Sequence, residues 1–335
     1  MSKEANNEII RANLREHPAV SAWSDLLPRR VDPAWIEILH EGKKSAVYRL
    51  GGVGTRGASV IAKRCRLTTA LFERAIYEKV LPQLPLTALH YYGFTSEDDQ
   101  FGWLFLEDAG SEKYSQSIEE HRVLAAQWLG LMHTSAAHVA TGDRLPDRGP
   151  GHYLEHLQSG AKILRDAANP ELKADDLMVL ESIVSKCEFL ESRWRQVEEI
   201  CAGFPQTLVH GDFTAKNLRV QAGRAGIALL TFDWEMAGWG VPAADMAQSA
   251  QLGLGFSARP DLVSYWVVVR DDWPSLDLQT IQRVANCGSL FRSLAAIHWA
   301  APRLAYEGAE RAVAGYFRPY QAELSNAIEA ATWVQ

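Results

Sequence analysis

The segment His210-Gly211-Asp212-Phe213-Thr214-Ala215-Lys216-Asn217, followed sixteen residues after Asn217 by Asp233, constrains this chain more than any other feature. Thr207-Leu208-Val209 reads as a short apolar strand that delivers His210. Residues 218–220 and 227–232 read as two strands around the turn Ala222-Gly223-Arg224-Ala225-Gly226, which returns the chain so that Asp233 sits beside Asn217. An Asp, an Asn five residues on and a second Asp beyond one hairpin suit phosphoryl transfer. Asp212 would orient a hydroxyl and accept its proton, while Asn217 and Asp233 would offer oxygens to magnesium, which takes few protein ligands and completes its octahedron with phosphates and water. A lone Asp after a strand is commonly a turn or cap residue. The spacing to Asn217 and to Asp233-Trp234-Glu235 is what makes the pattern specific.

Upstream the pattern is mixed. Residues 6–27 read as a helical extension with Ile9, Ile10, Leu14, Val20 and Trp23 as its apolar positions, punctuated by Pro28 and Pro33. Strands are expected over 35–39, 46–50, 59–63, 91–94 and 101–106, with a helix over 69–81 between the third and fourth. Long helices are expected over 117–136 and 175–201, and Pro146 to Gly151 forms a Gly/Pro-rich connector of the kind that borders a substrate cleft. Five strands with one intervening helix, then a long helical region, make an α+β chain.

His210-Gly211-Asp212, Asn217 and Asp233-Trp234-Glu235 resemble the pattern of the aminoglycoside phosphotransferase and choline kinase-like enzymes, and the resemblance runs from about residue 35 to the C-terminal helices. It implies a bilobal protein-kinase-like fold: a five-stranded antiparallel N-lobe sheet with one helix, then a mainly helical C-lobe carrying the catalytic hairpin. The implied divisions are a helical extension at 1–30, a nucleotide-binding lobe at 31–108 and a catalytic, acceptor-binding lobe at 109–335. ATP and magnesium are the implied cofactors.

Residue by residue, Lys63, ending Val60-Ile61-Ala62, resembles the strand lysine that pairs the α- and β-phosphates. A buried lysine wants a carboxylate. Glu73 lies on the apolar face of the following helix and resembles the family's helix glutamate, although only ten positions from Lys63, and Glu78 competes for the role. Gly42 and Ser45 would form the phosphate loop, Ser45 either donating to a phosphate or sitting in an exposed turn. Glu107 to Ala109 would meet the adenine edge through the backbone. His210 and Asp245 would support the catalytic loop. Lys216 would reach the γ-phosphate or solvent, and Glu235 a second metal or a local hydrogen bond.

Charge narrows the partners. Of 34 basic and 41 acidic residues, 111–335 carry 20 and 27, so the net charge of -7 resides there. No Lys/Arg-rich run invites nucleic acid or an anionic membrane, and the acidic second part leans toward a cationic or neutral small-molecule acceptor. Cys65, Cys187, Cys201 and Cys287 lack metal-ligand spacing and read as reduced thiols of a cytoplasmic, soluble protein. The remaining readings are a kinase of Ser/Thr in a peptide, opposed by His-Gly-Asp in place of His-Arg-Asp, and a pseudokinase, opposed by the presence of Lys63, Asp212, Asn217 and Asp233.

Overall fold

The computed structural model describes residues 8–28, 30–139, 145–167, 172–223, 226–249, 257–306 and 308–331. Arg224 and Ala225 of the expected hairpin turn, and residues 1–7 and 29 of the expected extension, lie outside them. The chain divides into two compact units: one runs to Glu112 and adds Gln221–Glu235, the other holds Lys113–Val220 and Met236–Gln335.

The first unit is a six-stranded antiparallel sheet of β1 (Ile9–Ile10), β2 (Ile36–Glu41), β3 (Ala46–Leu50), β4 (Val60–Arg66), β5 (Tyr91–Ser96) and β6 (Phe101–Glu107), in the order β1-β2-β3-β4-β6-β5. Sequence led to five strands. The sixth arises because Ile9 and Ile10, expected on a helix, pair with Glu37 and Ile36, and α1 (Pro18–Leu26) is correspondingly shorter, opened by Pro18 and by the His17 ring accepting the Ala19 N–H. Two residues are too few to impose a period of 2 on the sequence. The extension also belongs to this unit's core. Ala19, Val20 and Trp23 pack with Ile36, Leu50 and Phe105 on one face of the sheet.

Strand alternation sets the other face. In β4, Val60 and Ala62 join the α1 side, so Lys63 and Cys65 point oppositely, toward α2 (Leu67–Ala75), where Cys65, Ala70 and Leu104 form a smaller cluster. The helix widens into a π turn over Ile76–Val80 and then tightens into a 3₁₀ turn, Leu81–Gln83, that contains Pro82.

In the second unit α3 (Glu119–Ala136), α4 (Pro150–Asp166), α5 (Ala174–Glu191) and α6 (Trp194–Ala202) precede β7 (Thr207–Val209). The helix expected over 175–201 is two helices, α5 and α6, meeting at Ser192 and Arg193. No Gly or Pro marks the break, so apolar periodicity ran through it. β8 (Leu218–Gly223) and β9 (Gly226–Thr231) form the hairpin, which from Gln221 onward belongs to the first unit. In the second unit β10 (Gly238–Gly240) pairs antiparallel with β7, Trp239 opposite Leu208. Then follow α7 (Leu262–Val269), α8 (Leu278–Ala300), α9 (Arg303–Tyr306), α10 (Ala309–Ala312) and α11 (Arg318–Ala330). Asp261 and Asp277 cap α7 and α8 by accepting the Ser264 and Thr280 N–H groups, each at 2.7 Å. No helix among the described residues is long and apolar enough to cross a membrane.

Candidate active site

In the second unit the short strand β7 delivers a buried loop. The backbone N–H groups of His210 and Gly211 donate to the two oxygens of Asp245, at 2.7 and 2.8 Å. Burial alone would push the Asp245 carboxyl up. The hydrogen bond and charge of His133, the charge of His210 and the His210 N–H outweigh it, and its pKa lies below the ordinary value. His133 reaches Asp245 Oδ2 through Nε2 at 3.4 Å, while its Nδ1 meets the Tyr265 hydroxyl at 3.0 Å and its carbonyl accepts the Thr207 hydroxyl at 2.7 Å. His210 is fully buried, edge-on to Phe213.

Gly211 has φ +75°, and a Cβ there would stand 2.2 Å from the Met236 carbonyl oxygen, so only glycine lets the chain turn here. The turn presents Asp212, which is nearly buried. Its Oδ2 accepts from Asn217 Nδ2 at 2.9 Å and faces the Lys216 ammonium at 2.9 Å; its main-chain oxygen takes a second bond from Asn217 Nδ2, at 3.0 Å. Oδ1 lies 2.8 Å from Nη1 of Arg292. This is a charge contact without hydrogen-bond alignment, and the same nitrogen donates to the Gly211 carbonyl at 3.1 Å. Lys216 is exposed and its pair correspondingly weak, whereas Arg292 is buried.

Sequence reading missed Arg292 and His133. Arg292 alone had a signal: it is the one charged residue in the small and apolar run Gly288 to Ile297. Its helix approaches closely because Gly288 of α8 packs against the turn at Ala244–Met246, where a Cβ would lie 1.8 Å from the Ala243 carbonyl oxygen.

In the first unit Lys63 Nζ stands 2.5 Å from Glu73 Oε1 and 2.5 Å from Asp233 Oδ1. Glu78 instead pairs with Arg74 at 2.9 Å, so Glu73 is the partner of Lys63. Burial works against the Lys63 charge, but Glu73 and Asp233 outweigh it and the ammonium is held well above its ordinary pKa. Burial pushes the Glu73 carboxyl up to about 7 against the pull of Lys63. Asp233 sits at φ +67°, uncommon for a residue with a side chain. One oxygen each of Glu73, Asp233 and Glu235 lies within 4.8 Å of the others, and Glu73 Oε2 is buried without a hydrogen-bond partner. Carboxylate oxygens of this kind suit a hard cation such as magnesium, and the Lys63 ammonium already pairs with Glu73 and Asp233.

The other expected nucleotide residues lie at the sheet's turns. Gly42 and Ser45 close the β2–β3 hairpin, the Gly42 N–H donating to the Ser45 carbonyl at 2.9 Å, and Ser45 is half-buried. Glu107 ends β6, with its N–H on the His90 carbonyl at 2.8 Å and its Oε2 accepting the His90 N–H at 3.0 Å. Ala109 is buried beside Asp108, whose carboxylate binds Arg49.

Residues 35–278 match the model of the phosphotransferase enzyme family. The chain belongs to that family. Several solved structures share the fold of this phosphotransferase. Choline kinase from Cryptosporidium parvum Iowa II superposes with a TM-score of 0.59 at 12% identity, over 94% of this chain and 95% of that one. An aminoglycoside phosphotransferase in complex with GDP and kanamycin gives 0.59 at 12%, over 94% and 97%. Plasmodium vivax ethanolamine kinase gives 0.55 at 14%, over 88% and 81%. No curated protein sequence matches the chain.

Proposed function

We propose that this phosphotransferase moves the γ-phosphate of ATP to a hydroxyl of a small molecule with the help of magnesium. The observation that carries the reading is the held carboxylate of Asp212, on a buried loop clamped by Asp245 and fixed by Asn217. Such a carboxylate aligns an acceptor hydroxyl and takes its proton as the new O–P bond forms and the bond to the departing ADP oxygen breaks. When bound, magnesium neutralises charge that develops on the phosphates. Asn217 and Asp233 are proposed to hold it, Asn217 through the amide oxygen left over when its Nδ2 binds Asp212, and Glu235 is close enough to Asp233 to orient it or its water.

Lys63, kept protonated and aimed by Glu73, is proposed to pair the α- and β-phosphates. Gly42 and Ser45 would close over the phosphates, and the backbone from Glu107 to Ala109 would receive the adenine edge. Because the Glu107 N–H is engaged by His90, the Glu107 carbonyl and the Ala109 N–H are the groups assigned to that edge. Lys216 would steady charge at the transferred phosphoryl group. His210 and Asp245 act through the loop they hold. Neighbours bound to GDP and kanamycin, or to ADP and spectinomycin, support a nucleotide and a small acceptor. Four buried free cysteines are consistent with a reducing, cytoplasmic setting. The acidic balance of residues 111–335 leans toward a cationic or neutral acceptor, but net charge says less than a pocket's own lining.

The test is magnesium-dependent transfer of labelled phosphate from ATP into a panel of aminoglycosides, choline-like alcohols, sugars, sugar acids and Ser/Thr peptides. Asp212→Asn is expected to cut turnover by about 10²-fold or more with nucleotide binding intact, and Asp233→Ala to weaken magnesium-nucleotide binding. Undiminished turnover in Asp212→Asn removes the proposed base, and labelling of peptides alone replaces the small-molecule acceptor.

A further inference from the structure

Beside the Gly211–Asp212 turn, within the second unit, lies a narrow crevice between α4 and α8. Its walls include Arg148, His152 and His156 on one side and Arg292 and Trp299 on the other, over Gly211 and Met236. Among the described residues that line it, none is acidic.

Arg148 is the informative member. The segment 146–148 is laced to β10 by the Arg148 N–H on the Trp239 carbonyl and the Trp239 N–H on the Pro146 carbonyl, both at 2.8 Å, so its position is set by backbone. Its Nε donates to the Met236 carbonyl at 2.9 Å and its Nη1 to the Asp147 carbonyl at 3.1 Å. Among the described residues it has no carboxylate partner, although it is only half exposed; the nearby Asp147 carboxylate is turned to the Gly149 N–H at 2.8 Å. Guanidinium groups withdrawn from water are ordinarily paired, and the planar fork suits an oxyanion. Arg292 shares its charge with Asp212. Arg148 keeps its charge.

Independently, His156 lines the niche at 8% exposure with an Nδ1 that has no hydrogen-bond partner. Burial, helped by Arg148 and the neighbouring imidazoles and opposed at His152 by the Asp147 carboxylate, lowers His152 to about 4 and His156 to about 3. Both rings are therefore neutral near pH 7, each with one N–H to donate and one nitrogen to accept.

We propose that the acceptor of this phosphotransferase carries an oxyanion, a carboxylate or a phosphate, which seats on Arg148 and the His152–His156 pair and so brings its hydroxyl to Asp212. The proposal rests on the phosphotransfer reading above for the hydroxyl's fate, but not for the binding of the anion. Trp299 supplies an apolar wall for the carbon skeleton. A polycation would set its ammonium groups against two arginines.

Calorimetric titration of the full chain, with ADP and magnesium present, against gluconate, glucose 6-phosphate, glucose and kanamycin tests this without requiring turnover. At least one anion is expected to bind about tenfold or more tighter than glucose, with kanamycin weaker than either. Which anion wins separates carboxylate from phosphate. In Arg148→Gln the preference over glucose should collapse by about tenfold, and Arg148→Lys, which keeps the charge without the fork, should restore part of it. Kanamycin binding tighter than both anions, anions binding no better than glucose, or a preference that survives Arg148→Gln overturns the proposal. Should Arg148→Gln fail to fold, the wild-type ranking alone decides. Failure of Asp212→Asn to lose turnover would leave this ranking readable, so the two proposals fail separately.

Discussion

At the scale of single residues, Asp245 shows how a buried charge is put to use. Its two oxygens take two consecutive backbone N–H groups and its neighbour His133 satisfies it further. Asp245→Asn keeps the shape but turns an NH₂ toward one of those donors. Leaving one buried N–H unpaired costs about 1–3 kcal/mol, so urea denaturation should report a loss of that size, with turnover falling as the loop loosens. Unchanged stability and turnover would mean the clamp contributes nothing. Asp212, Asn217 and Asp233 stood out because their spacing is local and chemical. Glu73 stood out as a partner for Lys63 because a carboxylate on the apolar face of the following helix needs a cation, a contact the fold makes. Arg148 and Arg292 were not assigned. Each acquires its neighbours only when α4, α8 and the Gly211 turn meet, and no linear spacing encodes that meeting.

At the scale of elements, periodicity located β2 to β6, α2, α3 and the strands β7 to β9. It gave no range to α4, β10 or α7 to α11, and failed elsewhere where it had too little or too much to work with. Ile9–Ile10 is too short to alternate, and α5 and α6 share one apolar rhythm across a break at Ser192 and Arg193. The close approach of α8 was equally silent, because a helical glycine looks like a weak point until its neighbour is known. Gly288 lets the helix backbone lie against Ala243, at the start of the turn that holds Asp245. Gly288→Ala gains helix propensity of about 1 kcal/mol, but its methyl would meet a carbonyl at 1.8 Å. Backbone cannot step aside as a flexible side chain does, so overpacking of about 1–3 kcal/mol should exceed the gain. Guanidinium denaturation should show net destabilisation and assays a lower kcat. A variant more stable than wild type would show that the helix shifts at no cost.

For the whole molecule, the cluster of neutral imidazoles ties folding to pH. His156 stacks on His298 at 4.4 Å and lies 4.3 Å from His152, with Arg148 on the same side and Asp147 and the Tyr153 hydroxyl nearby. Burial lowers all three histidines, His156 to about 3 and His152 to about 4, with only a direction for His298. An unfolded chain takes up these protons near pH 6.5, whereas the folded chain resists until far lower pH. Below pH 6.5 the unfolded state therefore binds more protons and stability falls, by about 1.4 kcal/mol per pH unit for each fully shifted group. The stability is present above pH 6.5 and is lost progressively down to the folded values of about 4 and 3. His156→Asn removes one titrating ring while keeping polar atoms in the niche. Its unfolding free energy should be lower than wild type at pH 7.5, yet fall less steeply between pH 6.5 and 4.5, so that the two curves converge in acid. Parallel curves across that window would assign the acid sensitivity to other groups, because a histidine that already titrates normally in the fold contributes no slope.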